Sequence, residues 1–212
     1  MKKLLLSSAA ICLLAVPAGP ALAQDAANMT FFVTSAGSGD GANLGGLEGA
    51  DAICQRLAEA AGSSGKTWRA YLSAEAGGIN ARDRIGAGPW QNFSGIVIAT
   101  DIDNLHSDAN NVTKDTAITE TGAVVTGRGD QPNQHDILTG TNADGTLAAG
   151  QTCSDWTTSG EGAAMVGHHD RMGPETLATG TSWNAAHPSR GCGQEALIGT
   201  GGNGYFYCFA AQ

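Results

Sequence analysis

The pattern of apolar and polar residues predicts three strands, one from a short apolar run and two from alternation, and leaves long stretches without a regular pattern. Residues 29–34 (MTFFVT) form a short β-prone run that leads into a glycine-rich loop. Residues 67–73 alternate, which is typical of a strand with one buried face. Residues 205–210 alternate again near the end of the chain and predict a core strand. Its inward face carries Phe206, Cys208 and Ala210.

A helix is predicted over residues 47–61, where apolar residues recur at spacings of three and four. The apolar face consists of Leu47, Ala50, Cys54, Leu57 and Ala61. The residues expected to face water are Glu48, Asp51, Gln55 and Glu59. Because Cys54 lies on the apolar face, a disulfide from it should attach the helix to the core.

Residues 74–181 are mostly Gly, Asn, Asp, Thr and Ser, interrupted by short apolar islands. Regular structure should be sparse there, and long ordered loops of this kind are usually functional or held by cross-links. The chain contains 31 glycines in 212 residues, about twice the usual share. With 42% hydrophobic and 15% charged residues it is too apolar to be disordered. We therefore expect one folded domain.

Residues 1–23 have the pattern of a secretory signal peptide. Lys2 and Lys3 precede an apolar run that ends before Pro17, and residues 21–23 (ALA) supply a small-residue cleavage site. Cleavage would leave a single domain over residues 24–212, secreted or periplasmic. The net charge of the whole sequence is −9. Loss of the two lysines makes it more negative, which argues against nucleic acid and anionic membranes as partners. No window predicts membrane insertion.

Four cysteines remain after the leader: Cys54, Cys153, Cys192 and Cys208. An even number in an oxidising compartment predicts two disulfide bonds with three possible pairings, among which spacing does not choose.

The loop-rich half also holds all five histidines, and two segments, His135-Asp136 and His168-His169-Asp170, combine histidine with carboxylate. Adjacent residues of an extended segment point to opposite faces, so neither doublet is expected to chelate a metal by itself. The alternative is that folding brings these loops together as a metal-dependent hydrolase. Its residues would be His135, Asp136, His168, His169, Asp170 and His187. The simpler interpretation is that the histidines hydrogen-bond loop backbone.

Five segments together are similar to one family. They are residues 46–54 (GLEGADAIC), 68–73 (WRAYLS), 138–145 (LTGTNADG), 152–156 (TCSDW) and 207–208 (YC). In this order they resemble endostatin and the bacterial surface proteins related to it. The resemblance implies an α+β domain with a C-type lectin-like (endostatin-like) fold. Such a fold has one main N-terminal helix, short antiparallel strands, paired terminal strands and long glycine-rich loops that carry binding. It also implies the pairing Cys54–Cys208 and Cys153–Cys192.

The resemblance further suggests a lectin-type ligand site in altered form. Asn142, Asp144 and Asn184 are the candidate ligands for a weak calcium ion, with an expected dissociation constant of roughly 0.1 to 1 mM. Trp156 and Trp183 are candidates for stacking on a sugar. The leading hypothesis is a non-enzymatic, lectin-like module that binds a glycan or an extracellular protein. The alternatives are the metal-dependent hydrolase above and a protein-binding adhesin.

Overall fold

The computed structural model describes residues 26–211, so the predicted leader and its cleavage site lie outside the described residues. The architecture is α+β. The strands are β1 (Phe31–Val33), β2 (Thr67–Ala70), β3 (Trp90–Gln91), β4 (Val97–Ala99), β5 (Asp136–Leu138), β6 (Met165–His168), β7 (His187–Pro188) and β8 (Gly202–Ala211). The helices are α1 (Gly46–Ala60), α2 (Ile102–Leu105), α3 (Cys153–Trp156) and α4 (Gln194–Ile198).

The last strand, β8, organises the main sheet. It pairs with β1 and β2 antiparallel and with β5 in parallel, and the sheet continues from β5 through β6 to β7. The predicted strand near the C-terminus is thus confirmed, as is the pairing of the terminal strands. Both faces of β8 are buried. Phe206, Cys208 and Ala210 join one core cluster, as predicted, while Tyr207 and Phe209 belong to a second cluster on the opposite face.

The long predicted helix is confirmed as α1, but one of its side chains lies where the pattern did not place it. Ala50 and Cys54 are buried as predicted. Asp51, expected to face water, is only 8% exposed. Its carboxylate accepts hydrogen bonds from Arg69, Arg84 and the backbone N–H of Ala70 at 2.7 to 2.9 Å. Paired cations and a backbone donor let this carboxylate lie at the helix–sheet junction.

Two disulfides hold the fold together with the pairing that the resemblance implied. Cys54–Cys208 joins α1 to β8, and Cys153–Cys192 joins α3 to the segment before α4. All four cysteines are buried. α3 is a left-handed turn, because its four residues all have φ between +48° and +65°.

The glycine-rich half contains short elements, as its composition indicates. Among the apolar islands, residues 95–99, 137–138 and 163–166 contribute to β4, β5 and β6, whereas residues 123–125 supply only an isolated bridge from Val124 to Ile118. A helix long and apolar enough to cross a membrane is not found within residues 26–211.

Candidate functional site

A cluster of three histidines and one aspartate forms at one end of the neighbouring strands β5, β6 and β7. Asp136 on β5 lies directly opposite His168 on β6 in the antiparallel register. His187 on β7 pairs with Val166, two residues before His168. His135 immediately precedes β5. Sheet register therefore assembles side chains that lie up to 52 positions apart in the sequence.

The four side chains converge on one carboxylate oxygen, Oδ1 of Asp136. The Nε2 atoms of His135 and His168 each lie 3.2 Å from it, and Nε2 of His187 lies 3.6 Å away. The ligand atoms of His135, Asp136 and His168 all lie within 4.8 Å of one another. These three side chains are buried, whereas the side chain of His187 is 23% exposed. His187 is thus the outermost member of the cluster.

The far nitrogen of each imidazole contacts a hydrogen-bond acceptor. Nδ1 of His168 lies 2.6 Å from the carbonyl oxygen of Gly180, and Nδ1 of His187 lies 3.0 Å from that of Pro188. Nδ1 of His135 lies 3.2 Å from Oδ1 of Asp170. Because carbonyl and carboxylate oxygens only accept, Nδ1 carries the hydrogen in all three rings. When such a ring is neutral, Nε2, the nitrogen nearest Asp136, carries the lone pair.

The electrostatics of the cluster favour an ionised carboxylate. Burial acts to raise the pKa of Asp136, but the imidazoles of His168, His187 and His135 outweigh it and bring that pKa down to about 2. The neighbouring carboxylate in turn raises the pKa of His187. Asp136 is therefore an anion at neutral pH, inside a site that is largely shielded from water.

The structure corrects one expectation about the two histidine doublets and agrees with the other. His135 and Asp136 were expected to point apart, yet they meet, because His135 precedes β5 and is not bound by strand alternation. His169 does turn away from His168, toward the carbonyl oxygen of Thr126 at 3.4 Å. Burial lowers the pKa of His169 to about 4.

Asp170 has a supporting position behind His135. Its carboxylate accepts backbone hydrogen bonds from Arg128 at 2.6 Å and Met172 at 3.0 Å. Burial acts to raise the pKa of Asp170, but His135 and the two backbone donors lower it overall. Of the six residues considered for a metal site, four converge, Asp170 orients one of them and His169 lies apart.

Comparison with known proteins adds no family to this description. The chain matches none of the protein-family models, and it matches none of the curated proteins.

A shallow depression opens beside the cluster and has a volume of roughly 280 Å³. Its walls include His135, His168, His187, Arg128, Arg190 and Thr200. Both arginines are exposed, and neither forms a salt bridge with a carboxylate in the described part of the chain. The sequence carries no signal for this pair, because 62 positions separate the two residues.

The predicted calcium ligands lie near one another, but their side chains are engaged in hydrogen bonds. Nδ2 of Asn184 donates to the backbone oxygens of Asn142 and Ala143 at 3.1 and 3.2 Å. Oδ1 of Asp144 accepts from the backbone and hydroxyl of Thr146 at 3.0 and 2.6 Å. These contacts hold residues 142–146 against Asn184. Calcium binding there stays a prediction.

The two tryptophans proposed to stack on a sugar are core residues. Trp156 is fully buried, and its indole Nε1 donates to the carbonyl oxygen of Ser73 at 2.7 Å. Trp183 is 4% exposed and packs against Tyr71 and Tyr207, with ring centroids 5.0 and 5.2 Å apart. The sugar-stacking prediction is therefore wrong for these side chains, since both are buried.

Proposed function

We propose that this protein is a secreted or periplasmic, non-enzymatic binding module with a C-type lectin-like fold, and that it binds an acidic glycan at the depression beside His187. The observation that carries the ligand class is a pair of arginines, Arg128 and Arg190, on one concave surface of an otherwise acidic protein. Neither forms a salt bridge with a carboxylate within residues 26–211. Unpaired guanidinium groups recognise carboxylates and sulfates through charge-assisted hydrogen bonds.

Three features support the proposed fold. The first and last strands, β1 and β8, are paired. One disulfide links the first cysteine of the domain to the last, and the other links the middle two. Most of the chain between β2 and β8 consists of loops with only short elements. A disulfide-linked scaffold that carries ordered loops is suited to ligand binding.

The compartment is supported by the cysteines. Disulfides persist in oxidising environments such as the periplasm and the extracellular space, and both disulfides of this protein are buried. The proposed signal peptide would deliver the chain to such a compartment.

Glycan binding is tested with an array of acidic and neutral sugars, using the wild type and the double variant Arg128→Gln/Arg190→Gln. We expect uronate or sulfated glycans to bind, and the double variant to lose at least about tenfold in affinity, because each charged hydrogen bond contributes about 1.5 kcal/mol or more. The control is Arg56→Gln, which changes an exposed arginine on α1. Equal binding of neutral sugars, an unaffected double variant or a silent array would contradict the proposal.

A metal-dependent hydrolase is the competing function, and the exposure of His187 favours it. A substrate in the depression would contact a member of the cluster directly. This function predicts turnover of ester or phosphate substrates that His168→Ala abolishes. If turnover depends on metal and survives purification to homogeneity, the module is an enzyme and the non-enzymatic proposal fails.

A further inference from the structure

We propose that His135, Asp136, His168 and His187 together bind one transition-metal ion, and that the ion is zinc. The proposal goes beyond glycan binding, because it concerns the buried cluster and not the arginines above it.

The spacing of the ligand atoms is the first argument. In a tetrahedral zinc site with bonds of 2.0 to 2.2 Å, neighbouring ligand atoms are about 3.3 to 3.6 Å apart. The three contacts to Oδ1 of Asp136 measure 3.2, 3.2 and 3.6 Å. They are close to three of the six edges of a tetrahedron of this size, those that meet at Oδ1 of Asp136, and His187 lies on the solvent side.

The hydrogen bonds that the cluster fails to make are the second argument. Both carboxylate oxygens of Asp136 and Nε2 of His168 are buried without a hydrogen-bond partner among residues 26–211. Nε2 of His168 nevertheless lies only 3.2 Å from Oδ1 of Asp136. A buried polar atom without a partner destabilises the folded protein. A cation at the centre would satisfy the carboxylate and the Nε2 lone pairs at once.

The outer contacts have the form found around metal centres. Ligating histidines usually donate their other N–H to a carboxylate or a backbone carbonyl, which fixes the ring orientation and the tautomer. The corresponding acceptors here are the carboxylate of Asp170 for His135, the carbonyl oxygen of Gly180 for His168 and the carbonyl oxygen of Pro188 for His187. Asp170 is in turn fixed by two backbone N–H groups.

The donor set selects the metal. Calcium and magnesium require six or more oxygen ligands or several retained waters, and this cluster supplies three nitrogens and one oxygen. Imidazole suits zinc, copper, nickel and iron, and tetrahedral placement favours zinc among them.

The test uses the domain produced without a histidine tag, stripped with a chelator and dialysed against zinc. We expect one zinc per chain by elemental analysis. The melting temperature should rise by about 5 to 10 °C when zinc is at 100 times its dissociation constant.

Asp136→Asn and His168→Ala should each weaken zinc binding at least about 100-fold, and Asp170→Asn about 10- to 100-fold. His106→Gln, a histidine that contacts Tyr71 instead, should bind as the wild type does.

The wild type alone can overturn the proposal. If the folded protein is loaded with one equivalent of zinc and retains less than about 0.1 zinc per chain, the proposed zinc site does not exist. Folded variants that retain full affinity would overturn the residue assignment. If the buried variants do not fold, His187→Ala replaces them, because this side chain is partly exposed. A lower affinity in His187→Ala supports the assignment, and an unchanged affinity removes His187 from it. Arg128→Gln/Arg190→Gln should leave zinc content unchanged, which separates this test from that of glycan binding.

Discussion

At the scale of single residues, two buried carboxylates, those of Asp51 and Asp136, have different surroundings. The carboxylate of Asp51 accepts hydrogen bonds from two guanidinium groups and a backbone N–H, so both of its oxygens have partners within the protein. Asp136 meets three imidazoles without forming a hydrogen bond to any residue of the described chain. The first is an ion pair with its hydrogen bonds made, whereas the second lies at the centre of the proposed zinc site.

Asp51→Asn should lower the free energy of unfolding by about 2 to 3 kcal/mol. The change leaves Arg84, whose side chain is only 12% exposed, next to a neutral amide, and removing one partner of a buried pair is costly. The partial exposure of Arg69 reduces the loss, because water takes over part of its solvation. Denaturant unfolding with the disulfides intact measures this difference.

Glu48→Gln is the matched control, since Glu48 is an exposed carboxylate on the same helix. It should change stability by less than about 0.5 kcal/mol. Equal effects of the two substitutions would show that Asp51 is not buried in the way described.

At the scale of elements, the sequence predicts what depends on local periodicity. The helical period identifies α1, a short apolar run identifies β1, and alternating residues identify β2 and β8, because each of these signals lies within a few consecutive residues. β6 and β7 are short and lie among glycines, so the apolar pattern is too brief to fix their register. The His/Asp cluster depends on that register. The sequence therefore identifies its histidines as candidates but does not predict that their side chains meet.

The left-handed turn α3 is a second feature without a sequence signal. Cys153, Ser154, Asp155 and Trp156 are all non-glycine residues at positive φ, a conformation that costs about 1 to 2 kcal/mol per residue. Tertiary contacts offset this cost. The Cys153–Cys192 disulfide fixes one end, and the carboxylate of Asp155 accepts the backbone N–H groups of Glu75 and Ala76.

Ser154→Gly should therefore stabilise the protein, by about 0.5 to 1 kcal/mol. Glycine adopts positive φ without strain, although its greater freedom in the unfolded chain offsets part of the gain. Ser154 is exposed, so little packing is lost. Denaturant unfolding of this variant is compared with Ala52→Gly on α1, which should lose about 1 kcal/mol. A loss of stability in both variants would argue against the left-handed turn.

At the scale of the whole molecule, each half of the chain has one disulfide, but only the loop half contains the proposed metal. α1, β1, β2 and β8 surround the main core and the Cys54–Cys208 bond. The segments after β5 have short strands and the Cys153–Cys192 bond, and the proposed metal would join β5, β6 and β7 at one point. Metal binding should therefore order the loop half selectively.

Removal of zinc should accelerate amide hydrogen exchange in residues 126–136 and 165–190, while exchange in α1 and β8 stays unchanged. Mass spectrometry of the stripped and reloaded protein measures this difference segment by segment. A uniform change across the chain would mean that the metal supports global stability, and no change would mean that it orders nothing.

The central claim is that the His/Asp cluster is a metal centre, and anomalous diffraction at the zinc absorption edge tests it most directly. In crystals of the zinc-loaded, untagged protein, we predict one strong anomalous peak about 2.0 to 2.2 Å from Nε2 of His135, His168 and His187 and from Oδ1 of Asp136. Crystals that show no anomalous peak at this cluster, or a peak only on surface residues, would contradict the account.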